Sequence, residues 1–306
     1  MPNNLAMTLS DVELGTPQIR GTMCVVPILT RHAPSRTYLT TSEAMAREGL
    51  QIKEISSDGS VPSLRATNEL AKGILLVDGE ELIGAKQNRV VNLSVLVAAG
   101  STVTLPVSCV EAGRWDAVSD SMETSGYLDA LPIRRKRIES VTKSARRQEG
   151  FNSDQIEVWD HVAEVLADGN SESRTSAMRD AYSARATELD EYEQAFSPLL
   201  HQTGAIVAID GRWTTIELFS HSDIYAAHAD KIIRSSAMAA ARGETRVMPD
   251  AAEAEAGTIL REVLQAETEA HVAVGLGTNL RFETERWQGS ALRDAEEIIH
   301  LVAYAR

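Results

Sequence analysis

The chain has 306 residues, of which 43% are hydrophobic and 24% are charged, values that are ordinary for a globular protein and too apolar for a disordered one. Thirty basic and 44 acidic residues give a formal net charge of −14, which disfavours nucleic acid as a partner. No run approaches the roughly 20 apolar residues of a membrane helix. The first thirty residues do not resemble a secretory signal, so we expect a cytoplasmic protein without a membrane partner.

The first third of the chain is predicted to be mostly strand. Apolar runs or alternating patterns predict strands over residues 22–29, 50–55, 73–77, 89–97 and 102–110. A short helix is expected over residues 41–49. Asp78-Gly79 follows one of the strands and predicts a hairpin turn. We therefore expect a largely antiparallel sheet over residues 20–115.

The middle of the chain is predicted to be helical and locally basic. Residues 134–147, 154–167 and 174–196 contain no internal Pro or Gly and form a helical insertion at about 132–196. Between Pro132 and Gly150, seven basic residues stand against two acidic ones. This run is either a phosphate or RNA surface or a solvated helix face that pairs with the acidic remainder of the chain. The absence of aromatic residues favours the solvated face.

The last part returns to strand and ends in a mixed order. Residues 204–209 and 213–219 flank Asp210-Gly211, which predicts a second hairpin. Helices over residues 223–242 and 250–266 and closing strands over residues 271–275, 280–285 and 298–304 follow. This order predicts an α+β fold, with a largely antiparallel sheet body, a central helical insertion and C-terminal helices. We expect one domain over residues 20–305, preceded by an N-terminal segment of residues 1–19.

Common catalytic and metal-binding signatures are missing from the sequence. It has no Gly-rich phosphate loop, no His-Glu-x-x-His and no Gly-x-Ser-x-Gly. Two cysteines are too few for a multi-cysteine zinc site. His221 and His228 are seven residues apart on a predicted helix, too far for a simple shared ligand site, so we expect surface or capping roles and no metal.

A dense polar run, Lys86-Gln87-Asn88-Arg89, interrupts the otherwise apolar sheet. Unpaired polar groups are expensive to bury. These side chains therefore line a wet cleft, pair with one another, or lie at a solvated hairpin end. In a cleft, the amides would read a base edge or a hydroxyl, and the cations would hold phosphate or carboxylate.

A second run, residues 106–115, ends the strand over residues 102–110. Cys109 shares a strand face with Leu105 and Val107, which predicts a buried and inert thiol. Just past the strand end, Glu111 is a candidate general base and Arg114 a candidate anion clamp, unless the two form an ion pair that caps the turn. Trp115 either stacks on a ligand ring or packs in the core.

The two polar runs carry a resemblance to a known family. The segments Val26-Pro27-Ile28-Leu29, Asp78-Gly79-Glu80-Glu81-Leu82, Gly84-Ala85-Lys86-Gln87-Asn88-Arg89 and Ser108-Cys109-Val110-Glu111-Ala112-Gly113-Arg114-Trp115 resemble the ADP-ribosylglycohydrolase- and rhodanese-phosphatase-associated protein domain family, found mainly in bacteria. The resemblance spans about residues 20–305 and is weakest in the central helices. It implies a context in ADP-ribose and NAD metabolism, and it brings no catalytic residues with it.

Two hypotheses about function remain open at this point. In the first, the protein binds, and in one version processes, an ADP-ribose- or NAD-related nucleotide. Its site would comprise Lys86, Gln87, Asn88, Arg89, Arg114 and Trp115 as ligand-binding residues and Glu111 as catalytic residue. In the second, the protein is a non-catalytic scaffold, with a homo-oligomer as one form, and the polar runs are internal hydrogen-bond networks. The sequence names no cofactor.

Overall fold

The computed structural model describes residue 5 and residues 12–30, 35–240 and 252–306. The described residues form seven helices and eighteen strands, which confirms the α+β class. The helices are α1 (Thr41–Ala46), α2 (Leu131–Arg146), α3 (Gln155–Asp168), α4 (Met178–Ala184), α5 (Ala186–Ala195), α6 (Ser222–Ala237) and α7 (Ala252–Leu264). The strands are β1 (Val12–Leu14), β2 (Gln18–Arg20), β3 (Met23–Thr30), β4 (Tyr38–Thr40), β5 (Leu50–Glu54), β6 (Ser63–Asn68), β7 (Gly73–Leu76), β8 (Glu80–Gly84), β9 (Arg89–Val91), β10 (Val95–Val97), β11 (Thr102–Cys109), β12 (Met122–Leu128), β13 (Gln202–Ile209), β14 (Arg212–Phe219), β15 (Thr268–Val272), β16 (Thr278–Glu283), β17 (Trp287–Asp294) and β18 (Glu297–Ala305).

The described residues fall into two compact units. Unit 1 is drawn from residues 1–36, 190–272 and 277–306, and unit 2 from residues 37–189 and 273–276. Helices α2 to α4 lie in unit 2, whereas α5 begins in unit 2 and ends in unit 1. The helical insertion expected at about 132–196 stays a prediction. A single domain over residues 20–305, with residues 1–19 as a separate segment, stays a prediction.

Unit 1 is built on a nine-stranded antiparallel sheet. Its strand order is β1-β3-β13-β14-β18-β17-β16-β15, with β2 also paired to β3. The Asp210-Gly211 turn joins β13 to β14, and both turn residues have positive φ, as a two-residue hairpin turn requires. Helix α7 packs against the core of this sheet through apolar side chains at helical spacing, including Ala256, Ile259 and Val263.

Unit 2 contains two sheets that share one apolar core. One is six-stranded and antiparallel, in the order β12-β8-β9-β11-β6-β5. The other is three-stranded, in the order β10-β7-β4, with β4 parallel to β7. Side chains from both sheets, such as Leu76 and Val95 from one and Leu82 and Leu105 from the other, belong to one buried cluster.

The turn at Asp78-Gly79 is not a hairpin, so that expectation is wrong. Strand β7 before it and strand β8 after it belong to different sheets. The Gly79 amide donates to the Val91 carbonyl at 2.8 Å, and the Gly79 carbonyl accepts from the Asp129 amide at 2.8 Å. The turn therefore carries the chain from one sheet to the other.

Several element boundaries differ from the sequence prediction. The strand predicted over residues 89–97 is split into β9 and β10, which belong to different sheets. Between them, the Asn92 side chain donates to the Phe151 carbonyl, and the Ser94 hydroxyl accepts from the Asp78 amide. The helix over residues 174–196 is split into α4 and α5 at Arg185, which leaves the helical region with φ −110°. The ends predicted for the last two helices, at residues 242 and 250, lie outside the described residues.

Candidate functional site

Unit 2 contains a cavity of about 370 Å³ whose lining is mostly polar, and we call it the polar cavity. It is lined by Ile83, Gly84, Asn88, Glu111, Arg114, Val118, Ser119, Glu123, Thr175, Ala177, Arg179 and Asp180. The end of β8, the segment between β11 and β12, and the start of α4 meet here. An antiparallel bridge between Glu111 and Ala177 joins two of these segments.

The chain turns sharply at the end of β8, and this turn places the first polar run. Gly84 has φ +115° and Ala85 has φ +40°, so both lie in the region that favours glycine. The Asn88 side-chain oxygen accepts from the Gly84 amide at 3.3 Å, and the Asn88 carbonyl accepts from the Val110 amide at 3.1 Å. These bonds hold Asn88 at the cavity wall.

Glu111 is nearly fully buried and accepts three hydrogen bonds. Its Oε2 accepts from the Asn88 amide at 3.0 Å and from Arg114 at 2.6 Å, and its Oε1 accepts from the Thr175 hydroxyl at 2.8 Å. Burial opposes the charge, but the bonds from Arg114, Thr175 and Asn88 together outweigh burial and lower the Glu111 pKa. A carboxylate with a lowered pKa is a weaker general base, and the catalytic role expected of Glu111 stays a prediction.

Arg114 lines the polar cavity, but the protein itself uses most of its donors. Besides Glu111, the guanidinium donates to the Asn88 side-chain oxygen at 3.0 Å and to the Ala85 carbonyl at 2.7 Å. The Glu111–Arg114 ion pair that the sequence left open is therefore present. Arg114 holds the cavity wall together and has little capacity left for a ligand anion.

Arg179, at the start of α4, is the cation in the cavity wall that has no such partners. It is half-buried, and its guanidinium forms no hydrogen bond or ion pair with any residue that the structure describes. An unpaired guanidinium in a cavity offers a forked set of donors to a carboxylate or phosphate. Its charge is the one available for an anionic ligand in this wall.

The remaining predicted site residues lie away from the cavity wall. Arg89 and Lys86 flank the half-exposed Trp115, with the Arg89 Cζ 5.5 Å and the Lys86 Nζ 5.4 Å from the centroid of its ring. Arg89 is fully buried, donates through Nε to the Val61 carbonyl at 3.2 Å and lies 3.9 Å from Glu54. Burial is the main cause that lowers its pKa.

The Gln87 side chain does not line the polar cavity but bonds to the backbone after β11. Its Nε2 donates to the Glu111 carbonyl at 3.2 Å. The predicted site is therefore divided. Asn88, Glu111 and Arg114 meet at the polar cavity, whereas the Arg89–Trp115–Lys86 stack lies beside Glu54.

Cys109 is fully buried and carries a free thiol, as predicted. Burial raises its pKa, and the opposing effects of Glu111, Trp159 and Arg89 are smaller. A raised pKa keeps the thiol protonated and poorly nucleophilic at neutral pH. Inertness toward thiol reagents stays a prediction.

His221 and His228 each have their own partners within the described part of the chain. His221 lies at the N-cap of α6, 3.3 Å from Glu297, and His228 donates to the Ile224 carbonyl at 2.8 Å. Both rings are buried, so the expected surface role is wrong. Within the described part of the chain, no group of three or more His, Cys, Asp or Glu side chains is arranged to hold a metal ion.

The basic helix α2 is not simply a solvated face, which corrects that expectation. Arg134 and Arg137 are buried against Asp78 and Asp129. The Arg137 guanidinium donates to Asp129 at 2.9 Å and to Asp78 at 3.0 Å, and the Arg134 NH2 donates to the Asp78 carbonyl at 3.2 Å. These four side chains form what we call the buried ionic cluster. Most other cations of the run, including Arg147, are exposed, and Lys136 is half-buried.

Sequence reasoning missed two ionisable residues of this region, Arg179 and Glu81. Arg179 is 65 positions beyond Arg114 in the chain, on a helix whose composition gives no functional signal. Glu81 stands in the recognised Gly79-Glu80-Glu81-Leu82 segment and directly follows another acidic residue inside an apolar strand. An acidic pair at a buried strand position was the available signal.

Three comparisons with known proteins complete these observations. Residues 11–304 match the family described as the ARG and Rhodanese-Phosphatase-superfamily-associated Protein domain, ARPP-1. No curated protein and no solved structure matches the chain. Among the described residues, no helix is long and apolar enough to cross a membrane.

Proposed function

Because the chain belongs to the ARG and Rhodanese-Phosphatase-superfamily-associated Protein domain family, we propose that its polar cavity binds an ADP-ribose- or NAD-related nucleotide. The family description associates such domains with ADP-ribose-related proteins, which is a context and not an activity. The ligand class is therefore proposed from the chemistry of the cavity together with that context.

The unpaired guanidinium of Arg179 in the cavity wall is the observation that carries the proposal. Arg114 in the same wall is already neutralised by Glu111. A phosphate group would give Arg179 the acceptors that it lacks, and the fork geometry of a guanidinium matches phosphate oxygens.

The rest of the lining suits a sugar. Ser119 and Thr175 carry hydroxyl groups, while Glu123 and Asp180 carry carboxylates that accept hydrogen bonds from ligand hydroxyls. A volume of about 370 Å³ lies within the range of small-molecule sites. We assign the ribose-phosphate part of the ligand to this cavity, since no aromatic ring lines it to stack on a base.

Binding, rather than processing, is the function that the cavity supports best. A bond-breaking step needs a group that exchanges a proton at working pH. Glu111 is held as a charged acceptor of three hydrogen bonds and is poorly suited to this task. We propose no cofactor.

The test is calorimetric titration and thermal shift with ADP-ribose, NAD and ribose 5-phosphate. At ligand a hundredfold over its dissociation constant, the stabilisation of the native protein approaches about 2.7 kcal/mol. Arg179→Gln should lose this stabilisation and still fold, because its guanidinium has no structural partner. Arg174→Gln, at an exposed position nearby in the chain, is the matched control and should keep it.

A second candidate function, a non-catalytic scaffold, is favoured by one specific observation. Asn88, Glu111, Arg114 and Thr175 already satisfy one another, as an internal network would. This candidate prevails if none of the three ligands shifts the wild type and Arg114→Ala unfolds the protein. Light scattering would then establish whether the scaffold is a homo-oligomer.

A further inference from the structure

Glu81 is an ionisable residue of unit 2 that the proposed binding role does not use. It lies on β8, two residues before Ile83 of the cavity wall, and it is fully buried. Neither of its carboxylate oxygens has a hydrogen-bond partner among the described residues. A carboxylate in such a place is a buried charge without a hydrogen-bond partner, whereas a neutral carboxylic acid is buried at far lower cost.

Charged groups on several neighbouring elements affect the ionisation of Glu81. Arg179 of α4 favours the carboxylate, while Glu111 after β11 and Asp129 after β12 oppose it. Its partner in register on β9 is the uncharged Val90. The Ser125 side chain on β12 favours the charged form, although its hydroxyl does not reach hydrogen-bonding geometry with either oxygen. Burial outweighs these effects and raises the Glu81 pKa to about 7.

The state of Glu81 decides how much positive charge the cavity offers. When Glu81 is a neutral acid, this residue supplies no charge that opposes Arg179, and the Arg179 guanidinium attracts an anion more strongly. When Glu81 is a carboxylate, it compensates Arg179 across the protein interior, where charges are screened less than in water. One more negative charge then lies behind the cavity wall, and the attraction of Arg179 for an anion is weaker.

We propose that Glu81 is a proton-binding residue that controls the charge of the polar cavity through Arg179. It holds a proton while the cavity presents a free cation, and it releases this proton when the pH rises. An anion that enters the cavity raises the proton affinity of Glu81, so anion binding and proton uptake are coupled.

The first experiment needs no ligand and compares Glu81→Gln with the wild type in chemical unfolding across pH. The folded pKa of Glu81 is raised above its unfolded value, so its contribution to stability is fully present below the unfolded pKa of about 4.3 and is lost as pH rises through about 7. The folding equilibrium constant of the wild type should therefore fall relative to Glu81→Gln by about tenfold per pH unit in this window, and the difference should level off above it. Glu149→Gln, at an exposed position after α2, should follow the wild type.

The second experiment tests the coupling to Arg179 and does not depend on the folding of Glu81→Gln. Infrared difference spectra of the wild type should show a carboxylic acid carbonyl band that disappears across neutral pH. In Arg179→Gln the midpoint of this change should move to higher pH, because a favourable positive charge has been removed. A band that does not titrate near neutrality, or a midpoint that Arg179→Gln leaves in place, overturns the proposal.

The consequence for ligand binding rests on the proposed function and has its own readout. The pyrophosphate of ADP-ribose is esterified at both phosphorus atoms and has only strongly acidic protons, so its charge does not change across neutral pH. The affinity of the wild type for ADP-ribose should therefore fall above the Glu81 midpoint, with a limiting slope of about tenfold per pH unit. The affinity of Glu81→Gln should not fall. If ADP-ribose binds at no pH while the infrared band titrates and responds to Arg179→Gln, the proposed ligand fails and the role of Glu81 stands.

Discussion

The pKa values of two glutamates near the polar cavity are shifted in opposite directions by their surroundings. Glu111 accepts hydrogen bonds on both oxygens, and its pKa is lowered. Glu81 is more deeply buried, lacks such bonds, and has a pKa raised to about 7. The sequence placed a candidate base at Glu111, just past the end of a strand, whereas the donors around each carboxylate favour Glu81 as the proton-binding residue that we propose.

The two buried arginines Arg137 and Arg89 also differ in how well they are paired. Arg137 bonds to both Asp78 and Asp129 within the buried ionic cluster. Arg89 has one bond, to the Val61 carbonyl, and its two terminal nitrogens have no hydrogen-bond partner among the described residues. Removing a well-paired buried charge leaves its partner charges buried without a counter-charge. Removing a poorly paired one relieves the desolvation penalty that this charge already carries.

We therefore expect Arg137→Met to lower the free energy of unfolding by about 3–5 kcal/mol, because Asp78 and Asp129 would remain buried without their main partner. Arg89→Met should change it by less than about 1.5 kcal/mol, because Met fills a similar volume. Urea unfolding followed by circular dichroism measures both, with the exposed Arg147→Met as control. Equal losses for the two buried positions would show that Arg89 is better compensated than its contacts indicate.

At the scale of elements, local patterns predicted those strands whose apolar residues are continuous or alternate regularly. Strands β7, β11 and β13 lie where the sequence placed them. Strand β12 was missed, because its sequence Met-Glu-Thr-Ser-Gly-Tyr-Leu is polar and contains Gly126. Which strands pair depends on contacts between distant residues, and no local pattern records these contacts.

The candidate site was predictable to the same extent. Asn88, Glu111 and Arg114 lie in two conspicuous polar runs, and they do meet at one cavity. Arg179 and Thr175 join them from the start of α4, through a bridge that only the folded chain creates. The sequence also grouped Arg89 with this site, but strand geometry directs its side chain toward Trp115 and Glu54.

The two Asp-Gly turns show the limit of the local signal. Gly79 and Gly211 both have positive φ, yet only Gly211 lies in a hairpin. A Cβ on Gly211 would meet nothing within 4 Å, whereas a Cβ on Gly79 would collide with Asp129 and crowd Arg134. The first turn is thus shaped by the buried ionic cluster, and the second by the backbone of a hairpin.

Gly211→Ala should cost about 1 kcal/mol of unfolding free energy, the strain of a positive φ without a clash. Gly79→Ala should cost about 3 kcal/mol or more, because the new methyl group also displaces Asp129 from Arg137. Thermal and urea unfolding of the two variants measure the difference. A similar cost at both positions would mean that the ionic cluster can shift to admit the methyl group.

At the scale of the whole molecule, the chain passes between unit 1 and unit 2 four times, after residues 36, 189, 272 and 276. Neither unit is therefore a continuous piece of chain. Residues 273–276 belong to unit 2, although they lie between strands β15 and β16 of unit 1. Each unit is made of segments that are joined through the other unit, so unfolding one unit frees the ends of segments in the other.

We therefore predict one cooperative unfolding transition, in keeping with a single domain over residues 20–305. Scanning calorimetry should give equal calorimetric and van't Hoff enthalpies. Fluorescence of Trp115 and Trp159 in unit 2 and of Trp213 and Trp287 in unit 1, each followed in a variant that retains one tryptophan, should report the same midpoint. Separate midpoints for the two units would show that they are independent domains.

The bridge between Leu96 and Leu276 has a consequence for synthesis on the ribosome. The Leu276 amide donates to the Leu96 carbonyl at 2.8 Å, and Gly275 lies so close to this carbonyl that a Cβ there would collide with it. Strand β10 is the edge of its sheet, so these late residues cover an edge that residues 37–189 leave open. An open edge pairs readily with strands of other chains. A nascent chain keeps that edge uncovered until residue 276 has left the ribosome, and a chain that stalls before residue 273 keeps it uncovered permanently. We therefore expect such stalled chains to aggregate more readily than the full-length protein.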